Sequence, residues 1–232
     1  MDTLIIEKKN EVYITVDCDP NVQRELSEFF TFYVPGYKFM PAFRNRMWDG
    51  KIRLFSQKTK EIYFGLFPYI KAFAEEREYH IVCGKDVEVK NKVDKDIVEK
   101  FSNSLGQKFE ARDYQVDAIY HSLKYNRALL LSPTASGKSF IIYALIRYYT
   151  HLIKDETNNR ILLIVPTTSL VEQMYSDFKS YGWNVEKNCH RLYSGYSNQT
   201  DKKVLISTWQ SLYKLPKTYF DQFGVVFGDE AH

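Results

Sequence analysis

The chain has 232 residues, of which 44% are hydrophobic and 26% charged, a composition that is typical of a globular protein with one or two domains. Its net charge of +3 is too small for bulk attraction to nucleic acid, so any such affinity requires a local patch. No apolar run approaches the roughly 18 residues that span a bilayer, no secretory signal is visible, and three widely spaced cysteines indicate no disulfide framework. We therefore expect a soluble cytoplasmic protein with no membrane partner.

Residues 1–84 are predicted to form a small α+β domain. Short runs rich in β-branched residues predict strands at 4–6 and 12–16, and Pro20 is placed to open a helix that ends before residue 35. Further along the domain, residues 52–55 and 61–64 are predicted to form a hairpin. A second helix is expected at 66–74 and a last strand at 80–82.

Within this domain, residues 38–60 contain seven basic residues and one acidic residue, with aromatic residues interleaved. That mixture suits phosphate neutralisation combined with base stacking. The alternative is a solvated charged face with its aromatic residues in the core, and Trp48 fits a core position as well as a stacking platform. The candidate nucleic-acid residues are Arg44, Arg46, Trp48, Lys51 and Arg53.

Residues 85–108 are dense in both charges, which predicts a linker or a solvated helix between two domains. From residue 109 to 232, apolar strands alternate with amphipathic helices, the pattern of a parallel sheet covered by crossover helices on both faces. The fold class is therefore α/β, preceded by the α+β domain. Strands are predicted at 128–131, 161–165, 203–207 and 224–228, and helices near 114–125, 139–152 and 169–181.

Residues 132–139 read SPTASGKS and lie between an apolar strand and an apolar helix. Glycine at 137 lets the backbone approach a phosphate closely, and the N–H groups that open the following helix face the same anion. Lys138 is placed to reach the β- and γ-phosphates and Ser139 to ligate Mg²⁺. This predicts an ATP site with the phosphate-binding residues Pro133, Thr134, Ala135, Ser136, Gly137, Lys138 and Ser139.

A second polar motif, DEAH at 229–232, directly follows the apolar run 225–227. Asp229 is suited to hold the Mg²⁺ ion and Glu230 to polarise the attacking water as general base. An exposed acidic tail is the alternative, but disordered tails seldom carry such an apolar run. Lys138, Asp229 and Glu230 are therefore the predicted catalytic residues.

Four segments resemble motifs of the superfamily 2 helicases. DEAH is similar to motif II, and PTASGKS at 133–139 to motif I, with Ala135 where many members carry glycine. IVPTTSLVEQ at 164–173 resembles motif Ia, and ISTWQSL at 206–212 resembles motif Ib. The resemblance implies a RecA-like domain that contacts the nucleic-acid backbone at strand ends. From the residues alone, the threonines at 167 and 168 fit helix caps better. The implied contact residues are Pro166, Thr167, Thr208 and Gln210.

The segment ARDYQ at 111–115 is similar to the one that precedes motif I in many of these enzymes. The likeness implies that Arg112 and Gln115 belong to the nucleotide site, with Gln115 on the adenine edge. A carboxamide can both donate to and accept from adenine. From sequence alone, a surface glutamine on an amphipathic helix is an equally good interpretation.

FRNRMWDGKIRL at 43–54, followed by FGL at 64–66, looks like the accessory domain of the phage UvsW helicases. This resemblance extends in motif order over essentially the whole chain. It implies a helicase that uses ATP and Mg²⁺ and acts on branched or duplex DNA, or on RNA–DNA hybrids, in replication, recombination and repair.

The family mechanism requires a second RecA-like domain, which these residues do not contain and whose arginines complete the ATP site. We therefore expect slow ATP turnover by this chain alone. Two other interpretations remain open. One is an ATP- and DNA-binding module without turnover, as a fragment or half of a split motor. The other is the motor subunit of a restriction or repair translocase, which the WDG segment disfavours.

Overall fold

The computed structural model describes residues 2–87, 91–133, 135–152 and 160–230. The chain divides into two compact units, Met1–Lys90 and Asn91–His232. This division falls inside the segment 85–108 that the sequence indicates as a linker. Among the described residues, no helix is long and apolar enough to cross a membrane.

The first unit is a four-stranded sheet with helices and a separate two-stranded ribbon. Its elements in chain order are β1 (Thr3–Lys8), β2 (Tyr13–Asp17), α1 (Pro20–Phe29), β3 (Thr31–Tyr33), α2 (Pro41–Arg44), β4 (Lys51–Arg53), β5 (Glu61–Tyr63), α3 (Phe67–Glu76) and β6 (His80–Cys83). As predicted, α1 begins at a proline, and Asp19 caps it by accepting a hydrogen bond from the backbone N–H of Asn21.

The strand order of this sheet is β5-β2-β1-β6, with antiparallel pairs except for the parallel pair β1 and β6. Side chains alternate between buried and exposed along β1 and β2, because successive residues of a strand point to opposite faces. Leu4, Ile6 and Ile14 are fully buried and pack with residues of α1 and α3 into one core.

The predicted hairpin between 52–55 and 61–64 is wrong. β4 pairs with β3, whereas β5 pairs with β2, and the two segments share only an isolated bridge between Ser56 and Glu61. Both segments have strand-like composition. Each pairs over three residues with another strand of the unit rather than with its neighbour along the chain.

The second unit combines a four-stranded sheet with six helices in the part of the chain that the structure describes. Its elements are α4 (Lys95–Asn103), α5 (Asp113–Tyr125), α6 (Lys138–Leu152), β7 (Arg160–Val165), α7 (Thr168–Ser180), α8 (Val185–Asn188), β8 (Cys189–Leu192), β9 (Val204–Thr208), α9 (Trp209–Leu212) and β10 (Phe223–Gly228). The helix α4, which lies in the segment indicated as a linker, contributes Val98 to the core of this unit.

All neighbouring strands of the second sheet are parallel, in the order β10-β7-β9-β8. Along β7, Ile161, Leu163 and Val165 join the main core with residues of α5, α6 and α7. Leu162 packs on the opposite face in a smaller cluster that includes Leu212 of α9. Apolar residues on both faces explain why these strands read as continuous apolar runs, as predicted.

The strand predicted at 128–131 does not form. These residues have no assigned secondary structure, and Leu129 and Leu131 are 79% and 92% exposed. An apolar cavity of about 630 Å³ lies between 127–132 and β10. The composition of the segment suits a strand, but a strand exists only where a neighbouring backbone pairs with it.

Candidate nucleotide and nucleic-acid sites

The loop that precedes α6 is the candidate phosphate-binding segment. Ala135 and Gly137 have positive φ values of 65° and 80°, and the carbonyl of Gly137 accepts hydrogen bonds from the backbone N–H groups of Phe140 and Ile141. The helix thus begins immediately after the loop, with its N-terminal N–H groups available to an anion. Thr134 lies outside the described residues.

Gln115, in the first turn of α5, hydrogen-bonds to this loop. Its Nε2 donates to the carbonyl of Ser136 at 3.1 Å, and its Oε1 accepts from the backbone N–H of Arg112 at 3.0 Å. The side chain is 4% exposed. In this structure both polar ends of the carboxamide are therefore engaged within the protein, and its contact with adenine stays a prediction.

Lys138 and Glu230, which are 92 residues apart in the sequence, meet in an ion pair of 2.5 Å between Nζ and Oε1. Glu230 follows β10 and Lys138 opens α6, so the pair joins the two predicted catalytic motifs. The hydrogen bond that Lys138 donates to Glu230 raises the pKa of Lys138, which keeps the ammonium charged. A cation at this position suits the phosphates of a nucleotide.

Asp229 lies next to this pair, and its backbone N–H donates to the carbonyl of Ile164 at 2.9 Å. Burial raises the pKa of its carboxyl group, an effect that the charge of Lys138 opposes. A bound divalent cation would favour the charged form further. The side chain is thus held at the end of β10, beside the phosphate loop.

Ser139 has a different environment from the one expected. Its hydroxyl lies 2.9 Å from the hydroxyl of Tyr181, and it also hydrogen-bonds Asp177, a carboxyl group whose pKa is raised by burial. Tyr181 directly follows α7. The serine therefore connects the start of α6 with the end of α7, and a role as Mg²⁺ ligand would require its hydroxyl to turn.

The donor set fits a magnesium nucleotide rather than a protein-only metal site. Among residues 2–87, 91–133, 135–152 and 160–230, no group of three or more His, Cys, Asp or Glu side chains could hold a metal. Mg²⁺ is commonly bound by one or two protein ligands together with substrate phosphates and water. Asp229 and Ser139 are the residues that could supply those protein ligands.

The residues predicted to contact nucleic acid in the second unit lie at one edge of its sheet. Val165 at the end of β7 pairs with Thr208 at the end of β9, which places Pro166 and Thr167 beside the start of α9. Thr167 caps α7 by accepting from the backbone N–H of Leu170 at 3.3 Å, so the interpretation as a helix cap is confirmed for Thr167. Thr168 is instead the first residue of the helix.

The two remaining residues of this group differ in accessibility. Thr208 is only 3% exposed, and its hydroxyl lies 3.0 Å from that of Ser211. Gln210 is exposed. Of this pair, Gln210 can reach a ligand without a change in the protein.

In the first unit, residues of the basic segment 38–60 contact one another as well as strand β3 and Asp17. Trp48 is half-buried, and its Nε1 donates to the carbonyl of Lys51 at 2.9 Å. Arg53 forms an ion pair with Asp49, which lowers the pKa of that carboxyl group. Arg44 and Arg46 are exposed. The two arginines are thus better placed to meet phosphate than Arg53, which is paired, or Lys51, which is half-buried with its ammonium 4.9 Å from the centre of the Tyr33 ring.

Sequence reasoning missed two tyrosines that shape the nucleotide site. The hydroxyl of Tyr114 donates to the carbonyl of Ser136 at 2.9 Å and accepts from Arg112 at 2.8 Å. Tyr181 holds Ser139, as described above. Tyr114 stands inside the ARDYQ segment, so its position carried a signal, whereas no sequence pattern connected Tyr181 to the loop.

Comparisons with known proteins identify both units. The model of the family described as "Type III restriction enzyme, res subunit" matches residues 108–232, and that of "DNA helicase UvsW, N-terminal" matches residues 5–84. The chain is 33% identical over 229 residues to a protein of Enterobacteria phage T4 named ATP-dependent DNA helicase uvsW. The alignment covers 95% of this chain and 45% of that protein, so the chain spans less than half the length of this curated relative.

Two solved structures agree with that relationship. A crystal structure of the UvsW helicase from bacteriophage T4 superposes with a TM-score of 0.88 at 32% identity, covering 100% of this chain and 83% of that one. A second T4 UvsW structure gives the same TM-score at 33% identity, covering 99% of this chain and 47% of the other. The chain therefore belongs to the superfamily 2 helicases of the UvsW type, of which it forms the amino-terminal part.

Proposed function

We propose that this chain is the amino-terminal part of an ATP-dependent DNA helicase, in which the second unit binds Mg²⁺–ATP and both units contact nucleic acid. The observation that carries the proposal is the meeting of Lys138 with Glu230 at the end of the phosphate loop. Two residues 92 positions apart, each from a nucleotide-binding motif, are brought within one ion pair.

The roles of the nucleotide-site residues follow from their chemistry. When a nucleotide enters, the Lys138 ammonium leaves Glu230 and binds the phosphates, because either anion can neutralise its charge. Glu230 is then released to orient and polarise a water molecule as general base. Asp229 and Ser139 would hold a Mg²⁺ ion, which would neutralise charge on the phosphates. Arg112 and Gln115 fix the loop and the adenine side of the site.

The nucleic-acid role rests on two surfaces. Arg44, Arg46 and Lys51 would neutralise phosphates on the first unit, and Thr167 with Gln210 would contact the backbone at the strand ends of the second. The T4 relatives are named as DNA helicases. By analogy we propose branched DNA and RNA–DNA hybrids as substrates, a second RecA-like domain as functional partner, and the host cytoplasm as location.

Titration with a fluorescent ATP analogue in the presence of Mg²⁺ tests the nucleotide site. Lys138→Ala should weaken binding about 10- to 100-fold, because it removes charge-assisted hydrogen bonds to the phosphates. Lys179→Ala is the matched control. That lysine forms an exposed pair with Glu186 at 3.5 Å, and exposed pairs contribute little to stability.

Equal affinity of the Lys138→Ala variant and the unmodified chain would contradict the proposal. Slow hydrolysis is the result expected of a helicase part without its second RecA-like domain. Binding with no hydrolysis at all, even with branched DNA, would instead favour the second candidate, an ATP- and DNA-binding module without turnover. The observation that favours this second candidate is the exposure of Glu230, which lines the cavity.

A further inference from the structure

The short helix α9 presents two large aromatic side chains to solvent. Trp209 is 56% exposed and Tyr213 is 83% exposed, whereas Leu212 between them is 4% exposed and packs into the core. The backbone N–H of Tyr213 donates to the carbonyl of Trp209 at 2.9 Å, so the two residues are one helical turn apart. Residues at this spacing share one helix face.

An exposed pair of this kind differs from an isolated apolar residue on a surface. Aromatic side chains bury about 150–250 Å² when they pack. Two that remain in solvent therefore contribute little of this burial to the free energy of folding. Leu212 already anchors the helix to the sheet, where it packs in the cluster of Leu162 and Leu205. The fold therefore does not need the two rings at the surface, which suggests a ligand for them.

The position of the pair indicates the chemistry of that ligand. Val165 pairs with Thr208, so Trp209 starts the helix directly beside Pro166 and Thr167 at the carboxyl edge of the sheet. Gln210, between the two aromatic residues, is exposed, and so is Lys214, which follows Tyr213. Amide, hydroxyl and ammonium groups bind phosphate, whereas a flat ring offers its face to a base.

We propose that Trp209 and Tyr213 form a stacking platform for the bases of a single-stranded nucleic acid whose phosphates lie along the strand ends of β7 and β9. The platform, defined by these two residues, takes unpaired bases rather than duplex because only an unstacked base can offer its face to a side chain. This inference rests on the proposed function and adds to it two residues, Trp209 and Tyr213, that contact the bases.

The test compares two oligonucleotides with the same number of phosphates, a 12-residue oligo-dT and a 12-residue abasic strand. Trp209→Ala and Tyr213→Ala should each weaken binding of oligo-dT about 5- to 140-fold, the usual effect of losing one stacked aromatic side chain. Neither should change the affinity for the abasic strand. Trp209→Phe should retain most of the affinity, because phenylalanine also stacks.

Intrinsic fluorescence gives an independent readout. Oligo-dT should quench tryptophan emission in the unmodified chain, and the Trp209→Phe variant should lose that part of the quench. Tyr69→Ala serves as the matched control, since Tyr69 is 60% exposed on α3 of the first unit and should leave binding unchanged.

The outcomes separate the platform from the proposed function. If the chain binds oligo-dT but Trp209→Ala and Tyr213→Ala leave affinity and quench unchanged, the platform is refuted and the DNA-binding role stands. An equal loss for both oligonucleotides also refutes stacking. If sedimentation without DNA shows that the variants lose self-association, the platform is a protein interface and the inference is overturned. Failure of the unmodified chain to bind either strand refutes the proposed DNA binding itself.

Discussion

The two units build their sheets in different ways. In the first unit, β1 and β2 are adjacent in sequence, antiparallel, and alternate between buried and exposed residues. In the second unit every neighbouring pair is parallel, and β7 lies between β9 and β10, more than 35 residues further along the chain. Parallel strands need long crossover connections, so a single strand in the second unit depends on distant partners.

The functional residues follow the same division. In the first unit, some contacts of the basic segment 38–60 span a few residues, such as Trp48 to Lys51 and Arg53 to Asp49. Others are longer, since β4 pairs with β3 and Lys60 forms an ion pair with Asp17. In the second unit Lys138 meets Glu230 across 92 residues. The basic segment therefore combines local and longer contacts, whereas the candidate nucleotide site depends on residues that only the assembled parallel sheet brings together.

Truncation of one core residue in each unit tests whether the units are separate in stability, and it has the largest expected effect. Ile14→Ala and Ile206→Ala both remove a fully buried side chain and should each lower the free energy of unfolding of their own unit by about 2 to 5 kcal/mol. Urea unfolding followed by circular dichroism and tryptophan fluorescence measures this, with Trp48 in the first unit and Trp183 in the second.

Val226→Ala, at a position that is 57% exposed on β10, is the control and should change stability by less than about 0.5 kcal/mol. The comparison between the units fails if Ile14→Ala and Ile206→Ala shift the same single transition by similar amounts.

Two glycine substitutions test whether the phosphate loop depends on its contact with the distant Gln115. A Cβ at Gly137 would lie 2.3 Å from Nε2 of Gln115, and φ is +80°. Gly195 has a φ of +96° but no heavy atom within 4 Å of the added Cβ. Gly195→Ala should therefore cost only backbone strain, about 1 to 2 kcal/mol, whereas Gly137→Ala should cost more and also weaken ATP-analogue binding.

Thermal unfolding and the nucleotide titration measure both effects. The interpretation of Gln115 as the support of the loop is wrong if the two variants lose equal stability and both bind the analogue normally. In that case glycine is needed at position 137 only because φ is positive there.

Charge reversal in the first unit should have the smallest effect on the fold and a clear effect on binding. Arg44→Glu, Arg46→Glu and Lys51→Glu together should weaken DNA binding and make the negative slope of log affinity against log salt less steep. The magnitude of the slope should fall by about 0.9 per lost contact for duplex and by about 0.7 for single strands. Arg24→Glu, an exposed residue of α1, is the control.

Affinity measured by fluorescence anisotropy at several salt concentrations gives the slope, and circular dichroism confirms the fold. An unchanged slope in the folded triple variant would show that the segment is a solvated face, and that the local surface of the first unit carries no binding function.

The sequence by itself was sufficient for the elements whose signals are local. The cap at Thr167, the helix opened by Pro20, and the strands at 161–165, 203–207 and 224–228 all carry their pattern within a few residues and are confirmed. The motifs at 132–139 and 229–232 also carried the family relationship, because a phosphate cradle and an acidic strand end need particular residues at fixed spacing.

Tertiary structure alone decided which strands pair and which polar groups meet. The segments 52–55 and 61–64 have strand composition but join different partners, and 128–131 has the same composition without pairing. Likewise, Gln115 turns to Ser136 and Ser139 to Tyr181. Pairing and hydrogen bonding depend on which groups the folded chain brings within about 3 Å of each other. A short stretch of sequence cannot predict that proximity, because the partners lie far apart along the chain.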